Sequence, residues 1–333
     1  MSERSFRVGI LAMEGGMMSS VASATDTLLV ARTLAQIRSP TTALNFEVLV
    51  FGARGQTSVR TPTGLELGGL VPIPEDLDLL LLPGIGHTSI KDLIQKMEGM
   101  REEMDLVRRF HLRGVRIAGT CSGSMLLAET GLLDGRRATC SWWLASAFRL
   151  RYPGIRLEAD AMVIEDGEFI TAGGASSIQA LLMRLIASAG GEELAQQTAR
   201  MLLIDPERQS QAPYVSEALL QRPRHSLSEK AEHDLQHELH RELSVGRLAE
   251  ACGVSERSLL RHFQAHLGQS PLQHIQHLRV ERAKALLEST HLSFDEIVER
   301  CGYLDSASFR KLFKRATAMT PGDYRERYRL RPH

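Results

Sequence analysis

The segment Ala251-Cys-Gly-Val-Ser-Glu-Arg-Ser-Leu-Leu-Arg-His-Phe263 returns about fifty residues later as Arg300-Cys-Gly-Tyr-Leu-Asp-Ser-Ala-Ser-Phe-Arg-Lys-Leu-Phe313. Each copy runs on to a Ser-Pro or Thr-Pro step, at Pro271 and Pro321. In the first copy Val245, Leu248, Ala249 and Cys252 recur at spacings of three and four, which makes one apolar face of a short helix. Gly253 ends that helix, and Ser255 is a natural N-cap for a second one that buries Leu259, Phe263 and Leu267. In the second copy Phe294, Ile297, Val298 and Cys301 face inward, Gly302 makes the turn, and Ser306 opens a helix that buries Phe309, Leu312 and Phe313. Helix, glycine turn, helix, twice over, is the plan of a duplicated helix-turn-helix. Between the copies, Pro271, Leu272, Ile275, Leu278, Ala283, Leu286 and Leu287 describe a helix of about eighteen residues that can hold the two units at a fixed separation.

The outer faces carry the chemistry. Their offsets from the cap and the buried leucine place Arg257, Leu260 and Arg261 toward base edges, with Ser306, Ala307, Arg310 and Lys311 as the second-copy counterparts. Lys314 and Arg315 suit phosphates, which orient a protein on a duplex without specifying sequence. The formal charge of the whole chain is zero, yet the last ninety or so residues carry about five more basic than acidic side chains. The basic excess therefore sits where double-stranded DNA would be met. This stretch, including Arg279-Val-Glu-Arg-Ala-Lys-Ala-Leu-Leu287 and Thr320-Pro-Gly-Asp-Tyr-Arg325, resembles the DNA-binding domain of the AraC/XylS family over residues 228 to 328.

The front of the chain reads differently. Val8 to Ala12, Phe46 to Phe51, Leu79 to Leu82 and Val115 to Ala118 are short apolar runs, as expected of parallel strands covered on both faces. Helical stretches at Ser20 to Ala35, Gln95 to Phe110 and Gly123 to Glu129 separate them, which implies a doubly wound α/β sheet of Rossmann-like or flavodoxin-like plan. Ligand sites in such sheets form at the carboxyl ends of the strands. Leu79-Leu-Leu-Leu-Pro-Gly-Ile-Gly86 ends one strand in Gly84 and Gly86, where backbone N–H groups can approach a bound group. Arg116-Ile-Ala-Gly-Thr-Cys-Ser-Gly-Ser124 ends another in a sharp turn into a helix, with Cys121 at the bend in the manner of a nucleophile elbow and Ser122 beside it. A thiol at a helix N-terminus is expected to have its pKa lowered.

These residues, with Gly131-Leu-Leu-Asp-Gly-Arg-Arg-Ala-Thr139, resemble the DJ-1/PfpI, or class I glutamine amidotransferase-like, superfamily. That domain followed by an AraC module is the architecture of GlxA-type transcriptional regulators, so the resemblance covers nearly the whole chain. In catalytic relatives a histidine follows the strand after the elbow, and here Thr139-Cys-Ser-Trp-Trp143 puts Ser141 in its place. The family glutamate near the end of the first strand is also unmatched: Met17-Met-Ser-Ser20 occupies the region, with Glu14 nearby. A cysteine without a base is not activated and reset in the usual way. Trp142 and Trp143 open a helix running to Tyr152, and adjacent helical positions diverge, so at most one lines the pocket. Trp142 as an aromatic wall would suit a cationic metabolite; packing of both rings in a core or a dimer interface is the plainer alternative.

The expected chain is thus a front domain over residues 1–205, a linker over 206–227 and a double helix-turn-helix domain over 228–333. Cys121, Cys140, Cys252 and Cys301 lack metal-ligand spacing. His233, His237 and His240 lie on one polar helix face, with aspartate where a metalloprotease glutamate would stand, so neither a metal nor a cofactor is called for. No run approaches the ~18 apolar residues of a membrane span, and a cytoplasmic location follows. The expected function is transcriptional regulation by DNA binding, controlled by a small-molecule effector or a partner on a catalytically inactive front domain. A homodimer and contact with RNA polymerase are the further partners implied. A DJ-1/PfpI-like hydrolase or amidotransferase carrying a DNA module, and a dimerisation scaffold without ligand, stand as alternatives.

Overall fold

The computed structural model describes residues 5–38, 44–205, 208–216, 244–267 and 269–329. Two compact units divide the chain, Met1–Gln211 and Ala212–His333, and the change from one to the other falls inside the 206–227 stretch. Ser228, His233, His237 and His240 lie outside the described residues.

The first unit is built on strands β1 (Ser5–Ala12), β2 (Asn45–Gly52), β5 (Leu79–Leu82), β6 (Arg116–Thr120), β9 (Val163–Asp166) and β10 (Phe169–Ala172). They form one six-stranded sheet in the order β2-β1-β5-β6-β10-β9, parallel except for the antiparallel edge strand β9. Side chains alternate across such a sheet, so each strand serves two cores. On one face Leu80, Leu82 and Ile117 meet α2 (Ile90–Glu98), α3 (Arg101–Leu112) and α4 (Gly123–Glu129) through Leu93, Met97, Val107, Phe110 and Met125. On the other face Val8, Ile10, Leu79, Leu81 and Ile170 meet α1 (Met18–Arg38), α6 (Ser177–Gly190) and α7 (Glu192–Met201) through Leu28, Ala31, Leu181, Leu185 and Leu194. The doubly wound α/β plan is what this arrangement amounts to. Small strands β3 (Ser58–Arg60) and β4 (Glu66–Gly68) make a hairpin, and β7 (Arg137–Ala138) pairs with β8 (Arg156–Leu157).

Two expectations for this unit need correction. The helix expected over Gln95 to Phe110 is two helices, because Gly99 ends α2 by donating its N–H to Lys96 O and α3 starts afresh after Met100. Glycine costs about 1 kcal/mol in a helix interior, and here it lets both halves turn apolar faces to the sheet. The helix expected from Trp142 to Tyr152 begins as a 3-10 turn, Trp142–Leu144, before α5 (Ala145–Arg151).

The second unit holds α8 (Val245–Ala251), α9 (Glu256–Leu267), α10 (Pro271–Ser289), α11 (Phe294–Arg300), α12 (Ser306–Thr317) and α13 (Pro321–Tyr328). Ser270 and Gln273 cap α10 reciprocally, and Pro271 supplies its first turn without an N–H to lose. α10 does not merely space the two copies. Ile275 and Leu278 in its front half enter a core with Leu248, Ala249, Leu259 and Phe263, while Val280, Ala283 and Leu287 enter one with Ile297, Val298, Phe309 and Phe313. Leu272, expected on the apolar face, is instead 51% exposed: the buried face of the first turn runs through Pro271, His274 and Ile275, and Leu272 points away from it.

Candidate functional site

Chain segments leaving the carboxyl ends of β1, β5 and β6 meet around Cys121, tied by Met17 N–H to Gly84 O at 2.8 Å and Gly86 N–H to Gly15 O at 2.9 Å. Cys121 has φ of 56°, a left-handed conformation that non-glycine residues adopt at a cost and that active-site bends exploit. The backbone after β10 holds it there: the Cys121 N–H lies 3.0 Å from Ala172 O and 2.9 Å from Gly173 O. The elbow is therefore present as expected. Gly84 packs closely beside it: a Cβ there would sit 3.3 Å from Cys121 Cβ, a tight contact, and 3.6 Å from both Cys121 Sγ and Met17 Cγ. Gly86 is required outright. A Cβ there would fall 2.2 Å from Cγ of Pro62, at the tip of the β3-β4 hairpin, and its N–H already donates to Gly15 O at 2.9 Å.

Ser122 is fully buried and acts as a staple: its Oγ accepts the Ile85 N–H at 2.7 Å and donates to Ile85 O at 2.9 Å. That fixes the 83–87 loop to the elbow and places the hydroxyl proton on Ile85 O. Ser141, also fully buried, donates its hydroxyl to Cys121 Sγ at 3.1 Å. Trp143 packs against the core and over Gly174, Trp142 meets it edge-on at 5.3 Å, and both rings are half-buried.

The expected lowering of the Cys121 pKa is overturned. Burial pushes the thiol up, and this outweighs the hydrogen bonds from Ser141 and from the Ser122 backbone and hydroxyl that favour the thiolate. The cause is the geometry of a tight, apolar bend: α4 is a short helix, and its terminus does not compensate for the loss of water around the sulfur. Sequence reasoning also missed three contributors. Met17 packs against Gly84 beside Cys121, Pro62 closes the hairpin on Gly86, and Gln211 holds the backbone of Cys140 and Gly174 behind the elbow. Met17 alone is located from sequence, in the region where the family glutamate is unmatched, and without a contact to the elbow.

In the second unit both copies reach the same local geometry. Gly253 and Gly302 turn with φ of 70° and 73°, a region open to glycine. Ser255 Oγ accepts the Ser258 N–H at 3.2 Å, and in the second copy Asp305 does the capping, accepting from Ala307 at 3.0 Å and Ser308 at 3.2 Å. From these caps the buried pairs Leu259/Phe263 and Phe309/Phe313 superpose in register, which leaves Arg257, Leu260 and Arg261 exposed on α9 and Ala307, Arg310 and Lys311 exposed on α12. Ser306 is half-buried at the start of α12, and Lys314 and Arg315 are exposed one turn further along. The Arg310 guanidinium lies 4.6 Å from the centre of the Phe294 ring, within cation–π range.

Comparison with known proteins divides the chain in the same way. The DJ-1/PfpI family matches residues 72–188, and a helix-turn-helix domain matches residues 248–327. The HTH-type transcriptional regulator GlxA of Rhizobium meliloti is 32% identical over 231 residues, 66% of this chain and 68% of that protein. The chain belongs to this family of HTH-type transcriptional regulators. Its relative CdhR of Pseudomonas aeruginosa, also an HTH-type transcriptional regulator, is 32% identical over 223 residues, 66% of this chain but 65% of its own length. The chain thus spans about two thirds of these regulators. A solved protein of Vibrio parahaemolyticus covers 60% of the chain at a TM-score of 0.52 and 20% identity, which shows the shared fold alone. Among the described residues no helix is long and apolar enough to cross a membrane, and no group of three or more His, Cys, Asp or Glu side chains could hold a metal ion.

Proposed function

We propose that this chain is a cytoplasmic, sequence-specific DNA-binding regulator whose first unit binds a small effector without turning it over. The observation that carries the second half is the company kept by Cys121. The hydroxyl that donates to its sulfur is that of Ser141, with Ser122 next to it in the chain, and neither a hydroxyl nor a backbone amide takes up a proton near neutral pH. With its pKa raised, the thiol is a poor nucleophile at rest. Gly84, Gly86, Cys121, Ser122, Ser141 and Trp142 then form or brace a binding surface.

The DNA half rests on the repeated exposed triad at equivalent offsets from two caps. Arg257, Leu260 and Arg261 face base edges, as do Ala307, Arg310 and Lys311, with Ser306 at the helix start and Lys314 and Arg315 on phosphates. A second copy of the chain and RNA polymerase are the partners this reading adds. Footprinting of the full chain on a duplex selected from a random pool should show two major-groove segments on one face, about 34 Å apart; protection of a single segment removes the two-reader arrangement.

The left-handed elbow favours the rival reading, an enzyme with a DNA module, since that bend is also how catalytic thiols are presented. Incubation with candidate amides and aldehydes, followed by mass spectrometry, separates the two. The expected result is no product; turnover that disappears in Cys121→Ser would make the first unit an enzyme.

A further inference from the structure

Gln211 is only 2% exposed, and its side-chain amide is bonded on every side. Oε1 accepts the Gly174 N–H at 2.9 Å. Nε2, with two protons to give, lies within hydrogen-bond distance of three backbone carbonyls, Cys140 at 2.9 Å, Ala159 at 3.0 Å and Ala161 at 2.9 Å. The fit is close enough to dictate a neighbour, since a Cβ at Gly173 would lie 2.2 Å from the Gln211 amide. The main chain is tied down as well, with the Gln211 N–H on Asp160 O at 2.7 Å and the Met162 N–H on Gln209 O at 3.2 Å. A buried amide with this many partners is costly to dislodge.

Two of these bonds reach the elbow in a single residue step. Gly173, next to the Gly174 that Gln211 holds, carries the carbonyl that receives the Cys121 N–H. Cys140, whose carbonyl Gln211 holds, precedes the Ser141 that donates to Cys121 Sγ. These two peptides are the neighbours of Cys121 through which a change at its sulfur reaches Gln211. The chain then passes directly from Gln211, the end of the first unit, to Ala212, the start of the second. Ala212–Tyr214 form a 3-10 turn that packs against α12. Pro213 O lies 3.5 Å from the Tyr324 hydroxyl, the Tyr214 ring meets Tyr328 at 5.7 Å, and Lys284 Nζ bonds to Val215 O.

We infer that Gln211 is a positioning residue of the effector crevice, and that the Gln209–Val215 strap carries the state of that crevice to the second reading helix. The inference rests on the sensor reading above. A bound effector that shifts the Gly173-Gly174 or Cys140-Ser141 peptide alters the seat of Gln211, and the adjoining turn passes the change to α12. Coupling of this kind acts in both directions.

The test uses the full chain, a duplex selected from a random pool, and methyl methanethiosulfonate as the probe that fills the crevice by capping Cys121 as a methyl disulfide. In the natural sequence, capping should change the Kd for DNA by about fivefold or more, the lower end of ordinary allosteric coupling. In Gln211→Ala, with Cys121 capped to the same extent by mass spectrometry, the ratio of capped to uncapped Kd should fall to near one. That ratio is insensitive to a uniform loss of stability or affinity. A ratio as large as in the natural sequence overturns the role of Gln211 and leaves the sensor reading standing. No change on capping the natural sequence overturns the sensor reading and the strap with it. Cys121→Ser treated in the same way should not respond; a response there would assign the effect to another cysteine and overturn both. If Gln211→Ala does not fold, amide exchange in the natural sequence decides: capping should speed exchange across residues 209–215, and unchanged exchange overturns the strap.

Discussion

In the first helix-turn-helix unit the core is a compact aliphatic set closed by Phe263, whereas the second gathers Phe309, Phe313 and Tyr324, with Phe294, Tyr303 and Tyr328 packed against them. The aromatic set does more than add buried area. Phe294 lies under the Arg310 guanidinium and stacks near Phe309 at 6.1 Å, so the core of the second unit reaches out to an exposed side chain that the proposed function places on DNA. The caps differ too. The first unit uses serines, Ser244 and Ser255, and the second uses a Ser293/Glu296 capping box and Asp305. Duplication thus preserved the geometry while the two copies diverged in how rigidly they hold their reading residues and in which of their supports titrate.

The largest expected effect attacks the aromatic core. Phe309→Ala removes the ring that contacts both Phe294 and Tyr303 and should cost about 3–5 kcal/mol of stability. Amide exchange in the full chain should show the loss concentrated in α11 to α13. Equal loosening of α8 and α9 would mean that the two cores unfold as one.

Next comes the division between specifying and orienting residues. Arg261→Ala should cost about 1–3 kcal/mol at its own base position and relax preference there, while Arg315→Ala should weaken all sequences alike and lower the salt slope by roughly one contact. Binding selections on both variants across a salt series distinguish them, and uniform losses for both would remove the Arg261 assignment.

The smallest effect is in acid. Hydrogen bonds from the Ser308 hydroxyl and the Ala307 and Ser308 amides hold the Asp305 carboxyl below its usual range, and those from Ser293 do the same for Glu296. A depressed folded-state pKa contributes stability above the unfolded pKa of about 4, and that contribution is lost as pH falls through the lower, folded value. Serine caps do not titrate in this window. Exchange rates corrected for intrinsic pH dependence, compared at about pH 6 and about pH 3, should therefore rise at the start of α11 and α12 and not at the start of α8 and α9. Parallel behaviour of the two units would show that the carboxylate caps make no difference between them.

Much of this was legible because repetition and periodicity are local signals. The apolar runs that became β1, β2, β5 and β6, the turn glycines Gly253 and Gly302, and the sharp bend at Cys121 all follow from a few neighbouring residues. What escaped depends on distance in the chain or on solvent. The break at Gly99 was visible as a glycine, but only the sheet decides that both halves must pack separately. Leu272 has the right spacing and the wrong depth. The rise in the Cys121 pKa comes from burial, which no motif encodes, and the position of Gln211 against Cys140 spans 71 residues.

The sharing of α10 between two cores fixes the phase of one reader against the other. In a flexible tether an added residue changes only reach. In a helix it advances the axis by about 1.5 Å and rotates everything beyond it by about 100°, which would swing the Val280, Ala283 and Leu287 face away from its core. A chain of this kind cannot adapt to a new half-site spacing one residue at a time; its operators must keep the helical register that α10 sets, and only the letters within each half-site are left to drift.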